Sequence, residues 1–572
     1  MSTFSTMSTF STMQTYRPNS ILSTHEVTNV PPYLGDQDLW RNDIALQEGI
    51  SREAPGIATE QLMNLGQLAG KEDTFYKAAV ANRFSPELNA FDRHGMRINQ
   101  VEYHPAYHDL MKMAIENQVS NFAWRHRQQS GSSSGAHVVH AALNYMMGQP
   151  EGGVTCPMAM AYAAVPSLKM SEQIASEWIP RLLTTEYDPR DRPITEKKAA
   201  TLGMFMTEKQ GGSDIRSNST RAKAIGASSG EGAEYELTGH KFFCSAPMSD
   251  AFLTLAYTSQ GLSCFLMPRW KPDGERNTLM IQRLKDKLGN RGNASCEIEL
   301  DRCWAVMLGQ PGQGIKTIIE MVQANRFWCC SSSTALMRQG LVQAYHHTRH
   351  RQAFQKRLVD QPLMQNVLCD LQLEVEASLM LTLRLGRAID GADTSDASAA
   401  LARIGTAVSK YWICKRTPGH VVEALECLGG PGYIEDSMMP RLYREAPLNN
   451  IWEGSGNVMC LDVLRAIEKE PATLPAILAE LDAAKGGHRQ LDSAVTELRQ
   501  YLKSGPPEEL NARAMTELLA ISLQAALLIR YAPNAVSDAF CSARFAKNQS
   551  MSYGCLPSAT NFKEILNRIL AS

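Results

Sequence analysis

The chain has 572 residues, of which 44% are hydrophobic and 20% charged. This length exceeds what one hydrophobic core supports, so we expect three or four domains. The 57 basic and 59 acidic residues give a formal net charge of -2. That balance excludes a chain coated with positive charge for nucleic acid, and no window approaches the roughly 18 uninterrupted apolar residues of a membrane span.

The cysteine pattern indicates the cellular location. Thirteen cysteines are scattered along the chain, and no two form C-x-x-C. This pattern predicts reduced thiols and a cytoplasmic location.

The first residues repeat MSTFST and contain no acidic residue before Glu26. They lack the apolar core of a secretory signal, so we interpret residues 1–38 as a disordered leader.

Helical spacing dominates residues 39–200, which we assign to an N-terminal helical domain. In AYHDLMKMAIENQVSNFAWRHR, apolar residues recur at intervals of three and four, as in amphipathic helices. The segment SGSSSG at 130–135 predicts a turn between two of these helices.

The period of the pattern changes over residues 201–308. Short apolar runs alternate with polar neighbours and are separated by clusters of Gly, Pro, Asn and Asp. This is typical of a small antiparallel β domain.

Helical spacing returns over residues 309–468, in stretches long enough for a helical bundle that packs on the β domain. Residues 469–572 form a further helical region with Pro and Gly breaks, which we interpret as a separate C-terminal domain. The fold class is therefore mainly α with a central antiparallel β domain.

Four segments carry the chemical signal. MTEKQGGSD at 206–214 combines two glycines with Thr207 and Ser213, and such a loop can closely approach a flat, anionic cofactor. Alone it would equally fit a surface turn. GHKFFCSAPMSDA follows at 239–251, then LGGPGY at 428–433 and IWEGSGN at 451–457. No G-x-G-x-x-G joins a strand to a helix, and we predict no metal site.

In this order and spacing the four segments resemble the acyl-CoA dehydrogenase family of flavoproteins. MTEKQGGSD, LKDKLGNRGNASCEIE and PRLYREAPLNNIWEGSGNVMCLDVLR are most similar to the AidB branch of alkylation-response flavoproteins. The resemblance begins near Leu39 and is dense between Met206 and Arg465. It implies FAD as cofactor, an acyl-CoA thioester as partner, a homotetramer, and a four-helix bundle with an added C-terminal helical domain.

The resemblance also implies roles for individual residues. Glu453 is the catalytic base, Arg326 lies beside the bound thioester, and Arg351 reaches the FAD of a neighbouring subunit. The residues implied to bind FAD are Met206, Thr207, Gly212, Ser213, Phe243, Ser245, Arg351, Phe354, Gly429, Gly430, Trp452, Gly454, Ser455 and Asn457.

The expected reaction removes a proton from the carbon next to a thioester carbonyl, and hydride leaves the next carbon for the flavin. Such a proton is weakly acidic, so the base must be positioned, the carbonyl polarised and water excluded. Desolvation beside Trp452 would raise the basicity of Glu453.

Three functions stay open at this stage. The first is an active, FAD-dependent acyl-CoA dehydrogenase. The second is a flavoprotein of the alkylation response that binds double-stranded DNA through its C-terminal domain and has weak dehydrogenase activity. From Pro471 onward, however, ten Lys or Arg face nine Asp or Glu, which predicts weak DNA affinity. The third is a protein that sequesters acyl-CoA without turnover.

Overall fold

The computed structural model describes residues 24–503, 508–546 and 550–570. Most of the predicted leader, residues 1–23, lies outside this part, and residues 24–38 form no helix or strand. The domain boundaries placed after residues 38, 200, 308 and 468 stay predictions, because large packing clusters of buried side chains cross the last three of them.

The N-terminal part is helical, as predicted, and SGSSSG connects two helices. Its helices are α1 (Ile44–Glu53), α2 (Thr59–Ala69), α3 (Glu72–Arg83), α4 (Pro105–Glu116), α5 (Phe122–Ser130), α6 (Ala136–Met147), α7 (Thr155–Leu168) and α8 (Glu172–Leu182). All residues of α6 and nearly all of α7 are buried, so these two helices form the centre of this region.

A β-hairpin interrupts these helices, where the sequence pattern predicts only helix. It pairs β1 (Glu87–Phe91) with β2 (Arg97–Glu102) in antiparallel fashion. In its turn the Asp92 carboxylate accepts hydrogen bonds from the main-chain N–H groups of His94 and Met96, and Gly95 has a φ of +75°. Such Asx turns are set by two or three residues, which is too short a signal for a periodicity argument.

The central domain contains β3 (Leu202–Phe205), β4 (Arg221–Ala224), β5 (Glu234–Ser245), β6 (Ala251–Thr258), β7 (Gly261–Pro268), β8 (Leu279–Leu284) and β9 (Ser295–Leu308). The pairings β6–β4–β5–β9–β7–β6 close on themselves, and β8 is added at β9. Most pairings are antiparallel, as predicted. β3 and β4, however, both run parallel to β6.

The bundle is built on three long helices, α9 (Gly314–His350), α10 (Pro362–Asp390) and α11 (Asp396–Glu426). The two-residue strands β10 (Gln352–Ala353) and β11 (Lys356–Arg357) form a hairpin between the first two. After α11 come the short helices α12 (Gly430–Tyr433) and α13 (Met439–Glu445), and then α14 (Gly456–Lys469). Residues 451–455 form the turn that enters α14.

The C-terminal helices share the core of the bundle. They are α15 (Thr473–Asp482), α16 (Arg489–Lys503), α17 (Ala512–Tyr531), α18 (Asn534–Arg544) and α19 (Phe562–Leu566). One packing cluster extends from Cys330 to Ile569. Within the described residues, the segment Glu509–Tyr531 is long and apolar enough to cross a membrane, but 72% of its most apolar window is buried inside the protein. Packing against the bundle accounts for its composition.

Buried ion pairs attach the C-terminal helices to α10. Asp370, Glu374 and Glu376, here called the α10 acids, are all buried. Arg544 of α18 lies 2.6 Å from Asp370 and 3.1 Å from Glu374, and Arg568 lies 2.6 Å from Glu376. Two cations from the end of the described chain therefore neutralise charges on a helix of the bundle.

All thirteen cysteines are free, and all but Cys555 are buried. Over the described ranges, no group of three or more His, Cys, Asp or Glu side chains is arranged to hold a metal ion.

Candidate active site

Glu453 lies in the turn before α14, and its backbone conformation is unusual. The φ angle is +56° at Glu453 and +104° at Gly454. A glutamate in the left-handed region is uncommon because its Cβ crowds the main chain, whereas glycine adopts this region freely. Such a residue persists only where the surrounding contacts hold it, and strained positions of this kind concentrate at active sites.

Two buried cations hold the three consecutive carbonyl groups of this turn. Lys410 of α11 donates from Nζ to the carbonyl oxygen of Trp452 at 2.9 Å and also to that of Gly454. Arg326 of α9 donates from Nε to the carbonyl oxygen of Glu453 at 3.1 Å. The turn is therefore fixed from two helices of the bundle.

Arg326 is itself fixed by Asp462 of α14. The Nη1 atom of Arg326 lies 2.7 Å from a carboxylate oxygen of Asp462, and Arg403 pairs with the same carboxylate at 2.9 Å. Arg326, expected beside the substrate, thus directs two of its three guanidinium nitrogens to protein acceptors.

The Glu453 side chain is half-buried, and its carboxyl group accepts no hydrogen bond from the residues that the structure describes. The residue keeps partial solvent exposure. Burial raises the pKa of Glu453 to about 7, against the opposing effect of the positive charges of Arg326 and Lys410. Across the described part of the chain, the hydrogen bonds of Glu453 involve its main chain. Its carboxyl oxygens are therefore not committed to a donor from the described residues.

Apolar side chains from three parts of the fold meet beside Glu453. Cys156 and Met160 of α7 form a small buried cluster with Ala246, which follows β5. Met204 of β3 and Trp452 pack against this cluster. The base therefore adjoins an apolar wall built from the N-terminal helices and the β domain.

The end of β5 presents Phe243 and Ser245. A bulge between Lys241 and Cys244 shifts the pairing of β5 with β9, and the Phe243 side chain is 51% exposed. Bulges redirect side chains at sheet ends. The hydroxyl of Ser245 lies 2.9 Å from that of Ser295. An aromatic ring and a hydroxyl thus stand at the same strand end.

The loop 206–214 lies alongside this strand end. The N–H of Phe242 donates to the carbonyl oxygen of Thr207 at 2.8 Å. A Cβ at Gly211 would collide with Ser217, so the loop requires glycine there. The other predicted residues on this loop are Met206, which is partly buried, and Gly212 and Ser213, which are exposed.

The other predicted residues lie on separate elements of the fold. Arg351 donates to the carbonyl oxygen of Asn29, and Phe354, at the tip of the β10–β11 hairpin, is 92% exposed. Gly429 and Gly430 are exposed; Gly429 precedes α12 and Gly430 begins it. Ser455 precedes α14, and Asn457 accepts a hydrogen bond from Arg513.

Sequence reasoning missed Lys410 and Asp462. Both interrupt apolar helix faces: Lys410 lies among the buried residues of α11, and Asp462 shares a face with Met459, Val463 and Ala466 of α14. A charge on the buried face of an amphipathic helix is the signal that could have identified them, because buried charges need partners.

Comparisons with known proteins match most of the chain to one family. Residues 29–189 match the profile described as Adaptive response protein AidB N-terminal domain. Residues 203–303 match the middle domain, and residues 312–468 the C-terminal domain, of acyl-CoA dehydrogenase. AidB of Escherichia coli (strain K12) is 42% identical over 520 residues, which cover 91% of this chain and 94% of AidB.

Two solved structures extend these similarities. Caenorhabditis elegans ACDH-11, crystallised in complex with C11-CoA, is 26% identical with a TM-score of 0.82, covering 92% of this chain and 93% of its own. An acyl-CoA dehydrogenase complexed with FAD from Bacillus anthracis shares the fold, with a TM-score of 0.67, 15% identity and 90% coverage of each chain.

Proposed function

Because this chain belongs to the AidB branch of the acyl-CoA dehydrogenase family, we propose that it is an FAD-dependent oxidoreductase acting on an acyl-CoA thioester. Glu453 removes the proton next to the thioester carbonyl. FAD, the cofactor expected of this family, would supply the hydride-accepting chemistry at the next carbon when bound. The observation that carries the proposal is a half-buried carboxyl group in a strained turn, without a protein hydrogen-bond donor among the described residues and with its pKa raised to about 7.

The residues at the end of β5 fit a planar cofactor. Phe243 leaves about half of its surface uncovered beside the glycine-containing loop 206–214. An exposed aromatic ring beside a loop whose Gly212 is exposed and carries no side chain suits a flat ring system. In the proposal, Phe243 and Trp452 contact the cofactor ring, and the hydroxyls of Thr207 and Ser245 hydrogen-bond to it. Met206, Gly212, Ser213, Gly454, Ser455 and Asn457 complete the contacts from this subunit.

The pKa of Glu453 suits its proposed role. A general base works best when its pKa lies near the operating pH, because it is then both ionised and basic. Burial raises the pKa of Glu453 to about 7. Near neutral pH, roughly half of the molecules would carry the ionised base, and its affinity for a proton would far exceed that of an exposed glutamate.

The apolar wall supports an acyl group as the substrate's reacting part. Cys156, Met160 and Trp452 offer little hydrogen bonding, and they exclude water from a carbon acid. The crystallised complex of ACDH-11 with C11-CoA supports the same class of ligand. Arg326 would contribute by fixing the main chain of Glu453 beside this apolar wall.

The test is anaerobic. Purified protein loaded with FAD is mixed with acyl-CoA thioesters of different length and branching, and the visible flavin band is followed. We expect at least one thioester to bleach the band, and Glu453→Gln to abolish bleaching while FAD stays bound. Retained FAD with no bleaching by any thioester would reject the dehydrogenase.

If FAD is retained, no thioester bleaches the flavin band and an acyl-CoA still binds tightly, the protein sequesters the thioester without turnover. Isothermal titration with the same panel, performed on the wild type and on Glu453→Gln, separates sequestration from catalysis, since Gln removes the base and leaves the pocket shape nearly unchanged.

The structure offers little support for DNA binding through the C-terminal helices. Three of their basic residues are already engaged: Arg530 with Glu480, and Arg544 and Arg568 with the α10 acids. DNA affinity grows with the number of phosphates that free cations neutralise. We therefore expect no DNA retention at 150 mM salt, about physiological strength; strong retention that falls with salt would revive this function.

We also propose a homotetramer in the cytoplasm. The exposed Phe354 at a hairpin tip, with Arg351 beside it, supports a contact with a second copy, as do the exposed Gly429 and Gly430. Arg351 would then bind the FAD of the neighbouring subunit, and Phe354, Gly429 and Gly430 would complete the contacts with FAD. Light scattering after size exclusion tests the state, and Phe354→Asp should dissociate it and lower FAD retention.

A further inference from the structure

Two positively charged side chains, Lys410 and Arg326, donate hydrogen bonds to the turn around Glu453, although neutral donors could satisfy the same carbonyl groups. Lys410 is 1% exposed and Arg326 is 7% exposed. Carbonyl groups are neutral, and a buried turn could satisfy them with main-chain or amide donors. Burying a cation for this purpose is costly unless an anion compensates it. The anions that balance the charges of Lys410 and Arg326 therefore indicate the role of each cation.

The two cations differ in their partners. Arg326 pairs with Asp462, which also pairs with Arg403. Lys410 bonds to the carbonyl oxygens of Trp452 and Gly454, and no carboxylate among the described residues forms an ion pair with it. The nearby anion available to Lys410 is thus the residue enclosed between those two carbonyls, Glu453.

We propose that Lys410 is a positioning residue for Glu453: it fixes the main chain on both sides of the base, and its unpaired charge stabilises the ionised carboxylate. This inference rests on the proposed function for its catalytic meaning, but its physical content concerns only residues of this chain. It explains why a lysine, rather than a neutral donor, occupies the buried face of α11.

The charged and titratable groups around Glu453 support this assignment. Arg326 faces it from α9 and Lys410 from α11, and both lower its pKa against the effect of burial. Among the described residues, the thiols of Cys156 on α7 and Cys329 on α9 also lie near Glu453, and burial raises their pKa values well above neutrality. These thiols stay uncharged at pH 7. Arg326 lowers the pKa of Glu453 more than Lys410 does, but it shares the Asp462 carboxylate with Arg403, whereas Lys410 forms no ion pair with a described carboxylate. Lys410 is therefore the cation near Glu453 whose charge no other described carboxylate pairs with.

A purely structural role for Lys410 makes a different prediction. If Lys410 only fixed carbonyl groups, a neutral donor in its place would leave the ionisation of Glu453 unchanged. Lys410→Gln keeps N–H groups and removes the charge, whereas Lys410→Arg keeps the charge. Lys415→Met removes an exposed charge from the same helix and serves as the control.

The decisive measurement is the titration of the Glu453 carboxyl group itself. Full-length, FAD-loaded protein labelled with ¹³C-glutamate is titrated by infrared spectroscopy, and the Glu453 band is identified by its loss in Glu453→Gln. We expect the midpoint to rise by about one pH unit or more in Lys410→Gln, as loss of a close opposite charge predicts. It should stay near 7 in Lys410→Arg and Lys415→Met.

If Lys410→Gln folds too poorly for the infrared titration, a second measurement tests the same inference. In a double-mutant cycle of Lys410→Gln with Glu453→Gln at pH 8, followed by urea unfolding, the lysine substitution should destabilise the protein less when Glu453 is already neutral. Equal destabilisation in both backgrounds, or an unmoved titration midpoint in folded Lys410→Gln, overturns the inference.

Activity adds an independent readout. At pH 7, flavin reduction by a productive acyl-CoA should fall about fivefold in Lys410→Gln and recover above pH 8, since only the ionised fraction of the base changes. If the wild type reduces no flavin, the proposed function fails, and the infrared titration still decides the role of Lys410.

Discussion

Asp462 lies 2.7 Å from the guanidinium of Arg326, and both side chains are buried. Through this pair, α14 fixes the arginine that holds the carbonyl group of Glu453. Glu453 and Asp462 are nine positions apart in sequence. They are connected through Arg326 of α9, which lies more than a hundred residues earlier in the chain. The position of the base therefore depends on Asp462, which acts on the Glu453 main chain through Arg326.

We expect Asp462→Asn to lower the rate of flavin reduction about tenfold or more while KM changes little, because small displacements of a base are costly. Stopped-flow reduction with a saturating acyl-CoA measures this. Asp482→Asn, which weakens an exposed ion pair with Arg499, is the control. A large rise in KM with an unchanged rate would place Asp462 in substrate binding instead.

The rate of flavin reduction should rise with pH through about 7, because burial raises the pKa of Glu453 to that value and the base acts only when ionised. A rate that is flat from pH 5.5 to 8.5, in wild-type protein that stays folded, would contradict this.

The same pKa has the opposite effect on stability. The pKa of Glu453 is raised from 4.5 to about 7 in the folded protein, so between these values the unfolded chain releases a proton that the folded chain keeps. The free energy of unfolding should therefore fall as pH rises through this window. Glu151, whose pKa burial also raises to about 7, contributes a similar slope. Comparing urea unfolding of the wild type with Glu453→Gln isolates the part due to Glu453, which should be absent in the variant.

Gly454→Ala should destabilise the protein by about 1–3 kcal/mol, because φ at this position is +104°. The new methyl group would also press on the flexible end of Met459. The matched control is Gly419→Ala in α11, where a Cβ meets no atom within 4 Å. That change should be neutral or stabilising by up to about 1 kcal/mol. Similar thermal shifts for both variants would show that the turn is not held in its left-handed form.

Arg544→Ala should destabilise the protein by about 3–5 kcal/mol, because it leaves Asp370 and Glu374 buried with fewer partners. Arg499→Ala removes an exposed pair with Asp482 and should cost at most about 1 kcal/mol. Calorimetric melting temperatures distinguish the two, and equal losses would mean that the C-terminal helices contribute little to the bundle.

The sequence predicted the order of helices and sheet, because periods of two and 3.6 residues extend over long segments such as α9 and β9. It could not predict the β1–β2 hairpin, whose turn depends on Asp92 and Gly95 alone. Nor could it show that the C-terminal helices share a core with the bundle, since periodicity reports an apolar face but not what covers it.

For the site, motif resemblance pointed to Glu453, Phe243 and the loop 206–214, which the fold places at strand and helix ends. The contacts of Lys410 and Asp462 join helices that are distant in sequence, so no local pattern contains them. The arrangement of Arg351, Phe354, Gly429 and Gly430 around a cofactor stays a prediction.

The α10 acids also set an order for biosynthesis. Arg544 follows Asp370 by 174 residues and Arg568 follows Glu376 by 192 residues. A chain emerging from the ribosome therefore exposes Asp370 and Glu376 long before Arg544 and Arg568 have been synthesised, whereas Glu374 also pairs with the earlier Arg416 of α11. Until then, packing Asp370 and Glu376 into the bundle would bury carboxylates without these cations, which favours keeping this part of α10 in contact with water. The bundle that positions Glu453 thus completes its packing only after the C-terminal helices have been made, and a ribosome that stalls within them leaves a site that is fully encoded but not yet assembled.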